Sequence, residues 1–258
     1  MFVRPDNWNK LSPMERRKVR LDNWQNAPVQ FMSPEAEANY KERIGRLRQI
    51  YDMEPHDRPI ADGFMGANEY VVRRKGMNGK DMVYNHEKLR EPLLEFHNEF
   101  QPDTAVSPLP YPGKVMDLLN YQTYIWGGQK LPDELTIQAV EGEYMMADEY
   151  RVFAADPTDF WLKKYIPRVM PALGPLAMLT EFPRVSENVD LIDMILPFGL
   201  PPFQAMLQTL MEAGNELMKM LGAVGQTGAM IAASGFPSMG FNIVKTPFDY
   251  LGDTLRGT

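Results

Sequence analysis

The sequence predicts an α/β protein with a mainly parallel sheet. Short apolar segments bounded by glycine and proline alternate with amphipathic helical segments, which is the pattern of strands joined by helical crossovers. The chain has 258 residues, 44% hydrophobic and 24% charged, the composition of an ordinary soluble protein able to bury a sizeable core.

The elements follow in order. Ser12-Pro13-Met14-Glu15 fits a capping box with proline at the first helical position. A second helix starts at Ser33-Pro34-Glu35, and its Tyr40, Ile44, Leu47 and Tyr51 recur at the spacing of one buried face. The stretch His56–Tyr70, HDRPIADGFMGANEY, reads as a turn, a buried strand and a glycine-punctuated loop. YNHEKLREPLLEFHNEFQ is an amphipathic helix with a kink or break expected at Pro92. PDTAVSPLP is a short strand closed by prolines, PGKVMDLLN a short helix, and YQTYIWGG a strand ending in two glycines. Asp156 caps the helix PTDFWLKKYI. The later PPFQAMLQTLMEAGNELMKMLGAV is a Met-rich amphipathic helix with Phe203, Met206, Leu207, Leu210 and Met211 on one side.

Composition excludes several functions. A net charge of −7 leaves no dense basic stripe for nucleic acid. The absence of cysteine removes disulfides and thiol chemistry from these residues. The N-terminus lacks an apolar core of signal-peptide length, so a cytoplasmic location is expected. The uncharged run Met220–Val244 is long enough to span a bilayer, but its Gln226, Thr227, Ser234, Pro237, Ser238, Asn242 and its glycines argue against membrane insertion. GAVGQTG is not the dinucleotide pattern and follows no strand.

No motif declares a chemistry by itself. His86 and His97 lie eleven residues apart, roughly 16 Å along one helix, too far to share an ion. They and His56 are expected at the surface or partly buried. Glu141, Glu143, Asp148 and Glu149 around Tyr144 can divide into acid and base, but a loop with a helix start capped by Asp148 is the simpler expectation. Arg73-Arg74-Lys75 is the basic triplet nearest a candidate strand end. Its guanidinium groups either anchor an anionic ligand or form a solvated helix end.

Taken together, YKERIGRLRQIYDMEPHDRPI, KLREPLLEFHNEFQPDTAVSPLP, LPDELTIQAVEGEYMMADEYRVFAADPTDFWLKKYIPR and PFDYLGDTLRGT resemble the uroporphyrinogen decarboxylase superfamily. The likeness is to its divergent decarboxylase-like branch, related to the corrinoid methyltransferases. The order of a helix with a "DR-P" strand, a helix with a "PD" strand, and "EGEYM-ADEY…DP-DF" covers most of residues 38–258. The resemblance implies a (β/α)8 TIM barrel, probed at the C-terminal ends of its strands by substrate. It implies a helical extension over 1–54 and an N-terminal part of the barrel over 55–258, with later strands expected beyond this chain.

The same resemblance allows a test of the reaction. The decarboxylases carry F-M-R-Q-A-G-R-Y after the first strand. Here Phe64 and Met65 match, while the arginine positions fall on Gly66 and Tyr70. The second-strand F-S-D falls on Val106-Ser107-Pro108, so the aspartate that would stabilise a protonated pyrrole is proline. Corrinoid-linked methyl transfer on a small substrate is therefore the expected activity, with uroporphyrinogen decarboxylation in porphyrin biosynthesis and a non-catalytic interaction module as alternatives. The expected substrate-binding residues are Asp62, Gly63 and Phe64 in the first loop, Ser107 and Tyr111 in the second, and Arg73 and Arg74 as anion anchors. No cofactor is visible in this chain, while the resemblance implies zinc and a corrinoid for a full-length protein. The expected partners are a small-molecule substrate and a corrinoid protein, with a homodimer also allowed and neither nucleic acid nor membrane.

Overall fold

A computed structural model of the chain describes residues 5–62, 66–106, 111–180 and 188–237. The chain divides into two compact units. One comprises Met1–Met77, Glu87–Leu109 and Ala223–Thr258, and the other comprises Asn78–His86 and Pro110–Gly222.

In the first unit, α1 (Pro13–Gln25) begins with the predicted capping box. The Ser12 hydroxyl accepts the Glu15 N–H at 3.3 Å, and the Glu15 carboxylate accepts the Ser12 N–H at 2.8 Å. Helix α2 (Pro34–Tyr51) starts with the Ser33 hydroxyl accepting the Ala36 N–H at 3.1 Å. The two helices bury Leu21 and Trp24 against Tyr40, Ile44 and Leu47, the face that the spacing predicts. Side chains of this size contribute about 1.5–3 kcal/mol each when fully buried. Tyr51, at the helix end, stays exposed with its ring edge-on to Trp24.

Helix α3 (Gly66–Arg74) packs on α5 (Arg90–Phe100) through Tyr70, whose ring meets Phe96 and Phe100 edge-on. The break expected at Pro92 comes earlier, where the 3-10 turn His86–Leu89 gives way to α5 at Arg90. Pro92 then sits in the first turn, where its missing N–H has no intrahelical acceptor to lose.

The segments expected as the first two strands are not assigned as strands, with a bend at Asp103-Thr104, but they meet each other and a third segment through backbone hydrogen bonds. Asp103 N–H donates to the Ala61 carbonyl at 2.7 Å, and Ala105 N–H donates to the Pro237 carbonyl at 2.8 Å. Thr104 Oγ1 donates to the Asp62 carboxylate. Ala61 thus lies beside Asp103, and the side chains of Asp62 and Thr104 meet next to them. These segments do not form a continuous strand ladder because side chains take the groups a ladder would use. The Asp103 carboxylate accepts the Ala61 N–H at 2.8 Å, His97 Nε2 accepts the Val106 N–H at 2.8 Å, and Arg43 donates to the carbonyls of Pro102 at 3.0 Å and Gly235 at 2.9 Å.

In the second unit, α4 (Gly79–Tyr84) is capped by Asn78, which accepts the Asp81 N–H at 3.1 Å. Helix α6 (Gly113–Leu119) and the strands β1 (Tyr124–Trp126) and β2 (Ile137–Ala139) enclose Val83, Met116 and Trp126. The strand expected in YQTYIWGG is β1. It pairs antiparallel with β2, Tyr124 opposite Ala139 and Trp126 opposite Ile137, and among the described residues these are the only two assigned strands. The indole N–H of Trp126 donates to Tyr84 Oη at 2.8 Å, and Tyr84 O–H donates to Asp117 at 2.7 Å.

A run of short helices follows, α7 (Tyr150–Ala155), α8 (Pro157–Phe160) and α9 (Ile166–Val169), with a π-helical turn at Trp161–Tyr165 before α9. Asp156 caps α8 as expected, accepting the Asp159 N–H at 3.0 Å. Asp148 does not act as the cap ahead of α7. There Glu149 accepts the Met146 N–H at 2.8 Å and pairs with Arg168 at 2.7 Å, which draws its pKa down to about 2. Helices α10 (Asn188–Gly199) and α11 (Pro201–Ala233) complete the described chain. Helix α11 carries the predicted Met-rich pattern. Phe203 and Met206 are buried in a cluster with Leu173, while Leu207, Leu210 and Met211 are exposed. No helix among the described residues is long and apolar enough to cross a membrane.

Candidate functional site

Where segments 59–62 and 103–106 meet, Asp103, beside Ala61, is the hub of an ion-pair network. Its side chain is fully buried and accepts Arg46 Nη1 at 2.6 Å, Arg58 Nη1 at 2.6 Å and Nη2 at 2.8 Å, and the Ala61 N–H at 2.8 Å. Arg46, only 5% exposed, also donates to Asp57 at 2.7 Å and Glu42 at 2.8 Å. Burial alone pushes the Asp103 carboxyl up. The Arg58 and Ala61 hydrogen bonds and the charges of Arg58 and Arg46 outweigh it, and the group stays below the usual carboxylate range. On Arg46 the Asp57 bond dominates, and the guanidinium is held protonated more firmly than usual.

Arg43 and His97 fix the neighbouring backbone. Arg43 reaches Pro102, Gly235 and the Gln101 side chain, and its guanidinium lies 4.2 Å from the Phe236 ring centroid. His97 is fully buried, which corrects the expectation of a surface or partly buried histidine. Because Nε2 accepts the Val106 N–H, the ring proton sits on Nδ1, which donates to the Leu93 carbonyl at 2.6 Å. Burial, and secondarily Arg43, lowers its pKa against the opposing Leu93 bond. His86 is also buried, with Nε2 3.0 Å from the Tyr111 carbonyl, and His56 is exposed. Periodicity places a histidine on a helix face but does not report whether backbone groups wait there to satisfy both ring nitrogens.

One residue further along, beyond Ala61 and Asp103, the description is sparser. Asp62 is exposed and takes the hydroxyl hydrogen of Thr104, a buried residue. Gly63, Phe64 and Ser107 lie outside the described residues. Arg73 and Arg74 fall in the last turn of α3, about 12 Å along the helix from Gly66 at the usual rise. Arg73 is exposed. Arg74 donates to Glu99 at 2.6 Å and to Tyr70 Oη at 3.2 Å, and the Glu99 bond raises its pKa. Its charge is thus matched within the chain. Tyr111 belongs to the second unit and packs against the Val83, Met116 and Trp126 cluster. Of the predicted residues, Asp62 is the one the structure sets at a segment end with a fixed partner.

The network residues were missed as individuals, although the signal was present. The "DR-P" and "PD" elements are Asp57-Arg58-Pro59 and Pro102-Asp103, and they meet through Arg46 and Arg58. An open groove beside them, lined by Glu42, Gly45, Arg46, Gln49, Pro55, His56 and Asp57, contains none of the predicted site residues. Among the described residues no group of three or more histidine, cysteine or carboxylate side chains can hold a metal ion. Compared with known proteins, the chain matches no family model, no curated protein and no solved structure.

Proposed function

We propose that the chain forms the opening part of a decarboxylase-like (β/α)8 barrel whose reaction is methyl transfer linked to a corrinoid protein. One observation carries the reading. Three segments lie side by side in chain order through the bonds Asp103 to Ala61 and Ala105 to Pro237, the first two separated by helices and the last two by helices and the β1–β2 pair. That is how successive strands of a parallel barrel begin, with chemistry at their C-terminal ends. The Asp103 network, one residue along from Asp62 and Thr104, has a stabilising role in this reading.

The departures from the decarboxylase pattern support methyl transfer over porphyrinogen decarboxylation. Tyr70, at an arginine position of that pattern, is committed to Phe96, Phe100 and Arg74. Arg74, the nearby substitute, is committed to Glu99. Of the two expected anchors only Arg73 is then left exposed for a substrate with many carboxylates. The described residues do not fit a zinc ion, since both nitrogens of His97 are occupied and no cysteine is present. The chain's own contribution is to hold the segment ends rigidly and to present Asp62.

The test uses the full chain with uroporphyrinogen and, separately, with methylcobalamin. The reading expects no coproporphyrinogen and retention of methylcobalamin by the protein in equilibrium dialysis. Formation of coproporphyrinogen at an enzyme-like rate would overturn it, and free passage of methylcobalamin would remove the corrinoid from it.

A second reading, an interaction module, is favoured by the exposed apolar residues Ile192, Ile195, Phe198, Met211 and Met218 on α10 and α11. Concentration-dependent self-association in size-exclusion chromatography would support it, and a constant monomer would count against it.

A further inference from the structure

We infer that two copies of the chain associate through α11, helix against helix and antiparallel, with a twofold axis at Gly214. The inference rests on the interaction-module reading above and names its partner, a second copy, and the residues that meet.

Between Leu207 and Leu221 helix α11 has three different sides, and this span lies wholly within the second unit. Ala213 and Met220 continue the buried side that Phe203 and Met206 begin. Glu212, Glu216 and Lys219 are the charged residues of the span, and Glu216 pairs with both Lys219 and Lys114. The third side is apolar and uncovered. Leu207, Leu210, Met211, Leu217, Met218 and Leu221 are all exposed, Met211 by 71% and Met218 by 68%. At about 100° of turn per residue, these six and Gly214 fall in one strip, and the three charges fall on the far side of the helix.

The strip is symmetric about Gly214. Leu207 and Leu221 lie seven residues either side of it, Leu210 and Met218 four, and Met211 and Leu217 three. It therefore presents the same pattern in both directions along the helix. An isologous interface requires such a patch, because each contact occurs twice across the twofold axis. With the axis at Gly214, Leu207 meets Leu221 of the second copy, Leu210 meets its Met218, and Met211 meets its Leu217. The alternation of three and four residues is that of the seam along which two helices pack at a shallow angle. At the centre, a Cβ on Gly214 would meet nothing within 4 Å in its own chain. The missing side chain leaves that space for the approach of a second backbone.

The area is of the right size. From these exposures the strip offers roughly 500–600 Å² of apolar surface, at the upper end of what one patch on a monomer presents. Helix α10 adds Ile192, Ile195, Leu196 and Phe198, all exposed. It joins the start of α11 through the Phe198 ring, whose centroid is 4.7 Å from that of Phe203. Together the two helices reach the roughly 800 Å² per partner of a standard stable interface.

The experiment is disulfide trapping, which the absence of cysteine from the chain makes unambiguous. Leu207→Cys and Leu221→Cys are prepared as separate variants of the full chain and mildly oxidised, each alone and then mixed. In the antiparallel pair the two copies of position 207 lie about 21 Å apart along the helices, far beyond disulfide reach, and so do the two copies of position 221. Each variant alone is therefore expected to stay unlinked, and the mixture to give a covalent dimer of one variant with the other. Linkage of each variant with itself, or no linkage in the mixture, would overturn the inference. Sedimentation equilibrium supplies the second readout. Introducing Met211→Glu and Met218→Glu together is expected to raise the dissociation constant by about thirtyfold or more with an unchanged far-ultraviolet circular dichroism spectrum. Gly214→Leu enlarges the apolar strip but fills the axis, so it is expected to weaken the dimer. Tighter association in that variant would mean indiscriminate apolar contact and would overturn the inference. A wild-type chain that stays monomeric would overturn this inference and the interaction-module reading together, whereas a dimer that fails to trap the mixed pair would overturn this inference alone.

Discussion

Replacing Asp103 by asparagine removes the negative charge between two arginines and keeps the shape of the side chain. Breaking a buried ion pair from one side costs about 3–5 kcal/mol when the remaining charge is stranded. Here the stranding is partial. Arg46, 5% exposed, still has Asp57 at 2.7 Å and Glu42 at 2.8 Å. Arg58 loses both bonds to Asp103 but is 44% exposed, so water can solvate it. Asparagine offers one carbonyl oxygen for the Ala61 N–H or for a guanidinium, and turns its amide hydrogens toward positive charge. The expected loss is about 2–3 kcal/mol, within the range of one or two hydrogen bonds to a charged group. In a chain of this size it corresponds to about 5–10 °C in the melting midpoint of the unit concerned. Urea unfolding followed through Trp24, in the core of that unit, measures it. A double-mutant cycle with Arg58→Ala should give a coupling of about 1 kcal/mol. A loss below about 0.5 kcal/mol, the scale of an ordinary surface change, would refute the assignment of Asp103 as the hub.

Other outcomes follow from the same geometry. His97 is held neutral with its pKa lowered, so between that lowered value and the ordinary imidazole value near 6.5 the native state binds fewer protons than the unfolded chain. Stability must therefore fall as pH drops below about 6.5, levelling off once pH passes the folded value. His97→Gln should remove that slope in urea unfolding between pH 7.5 and 5 (about the range of the imidazole transition), and an unchanged slope would refute the role of the ring. The lowered pKa of Asp103 adds a second loss at lower pH, beginning near the ordinary carboxylate value of about 4 and continuing down through its folded value. Asp103→Asn should shrink that stage, leaving the part due to Asp57 and Glu149, and leave the histidine stage intact. Gly235 has φ +98°, and a Cβ there would lie 2.7 Å from the Ala36 carbonyl oxygen. Gly235→Ala should cost about 1–3 kcal/mol from backbone strain, and an unshifted urea midpoint would contradict it.

Local chemistry was the legible part of the sequence. Ser12 with Glu15, Ser33 and Asp156 cap helices where they were expected to, because a cap depends on residues three apart. The buried face of α2 followed from spacing in the same way. What escaped depends on partners distant in sequence. Arg46 meets Asp103 57 residues later, and Arg43 meets Gly235 192 residues later. Nothing local to "PDT" says that its aspartate is buried, nor to "LEFHNEF" that its histidine will accept a backbone N–H. The same side chains explain why the strands expected within 56–62 and 102–110 form no full ladder in the described part. For Glu149, the choice over Asp148 was made by Arg168, nineteen residues away. In the candidate site, Asp62 was foreseen and its partner Thr104 was not.

The account rests on the segments 59–62, 103–106 and 236–237 lying side by side. Scalar couplings across hydrogen bonds, measured by NMR on the full chain, test this most directly. They should connect the Asp103 amide to the Ala61 carbonyl and the Ala105 amide to the Pro237 carbonyl, with both amides among the slowest to exchange in their unit. Absent couplings together with rapid exchange at Asp103 and Ala105 would contradict the arrangement and the candidate site built on it.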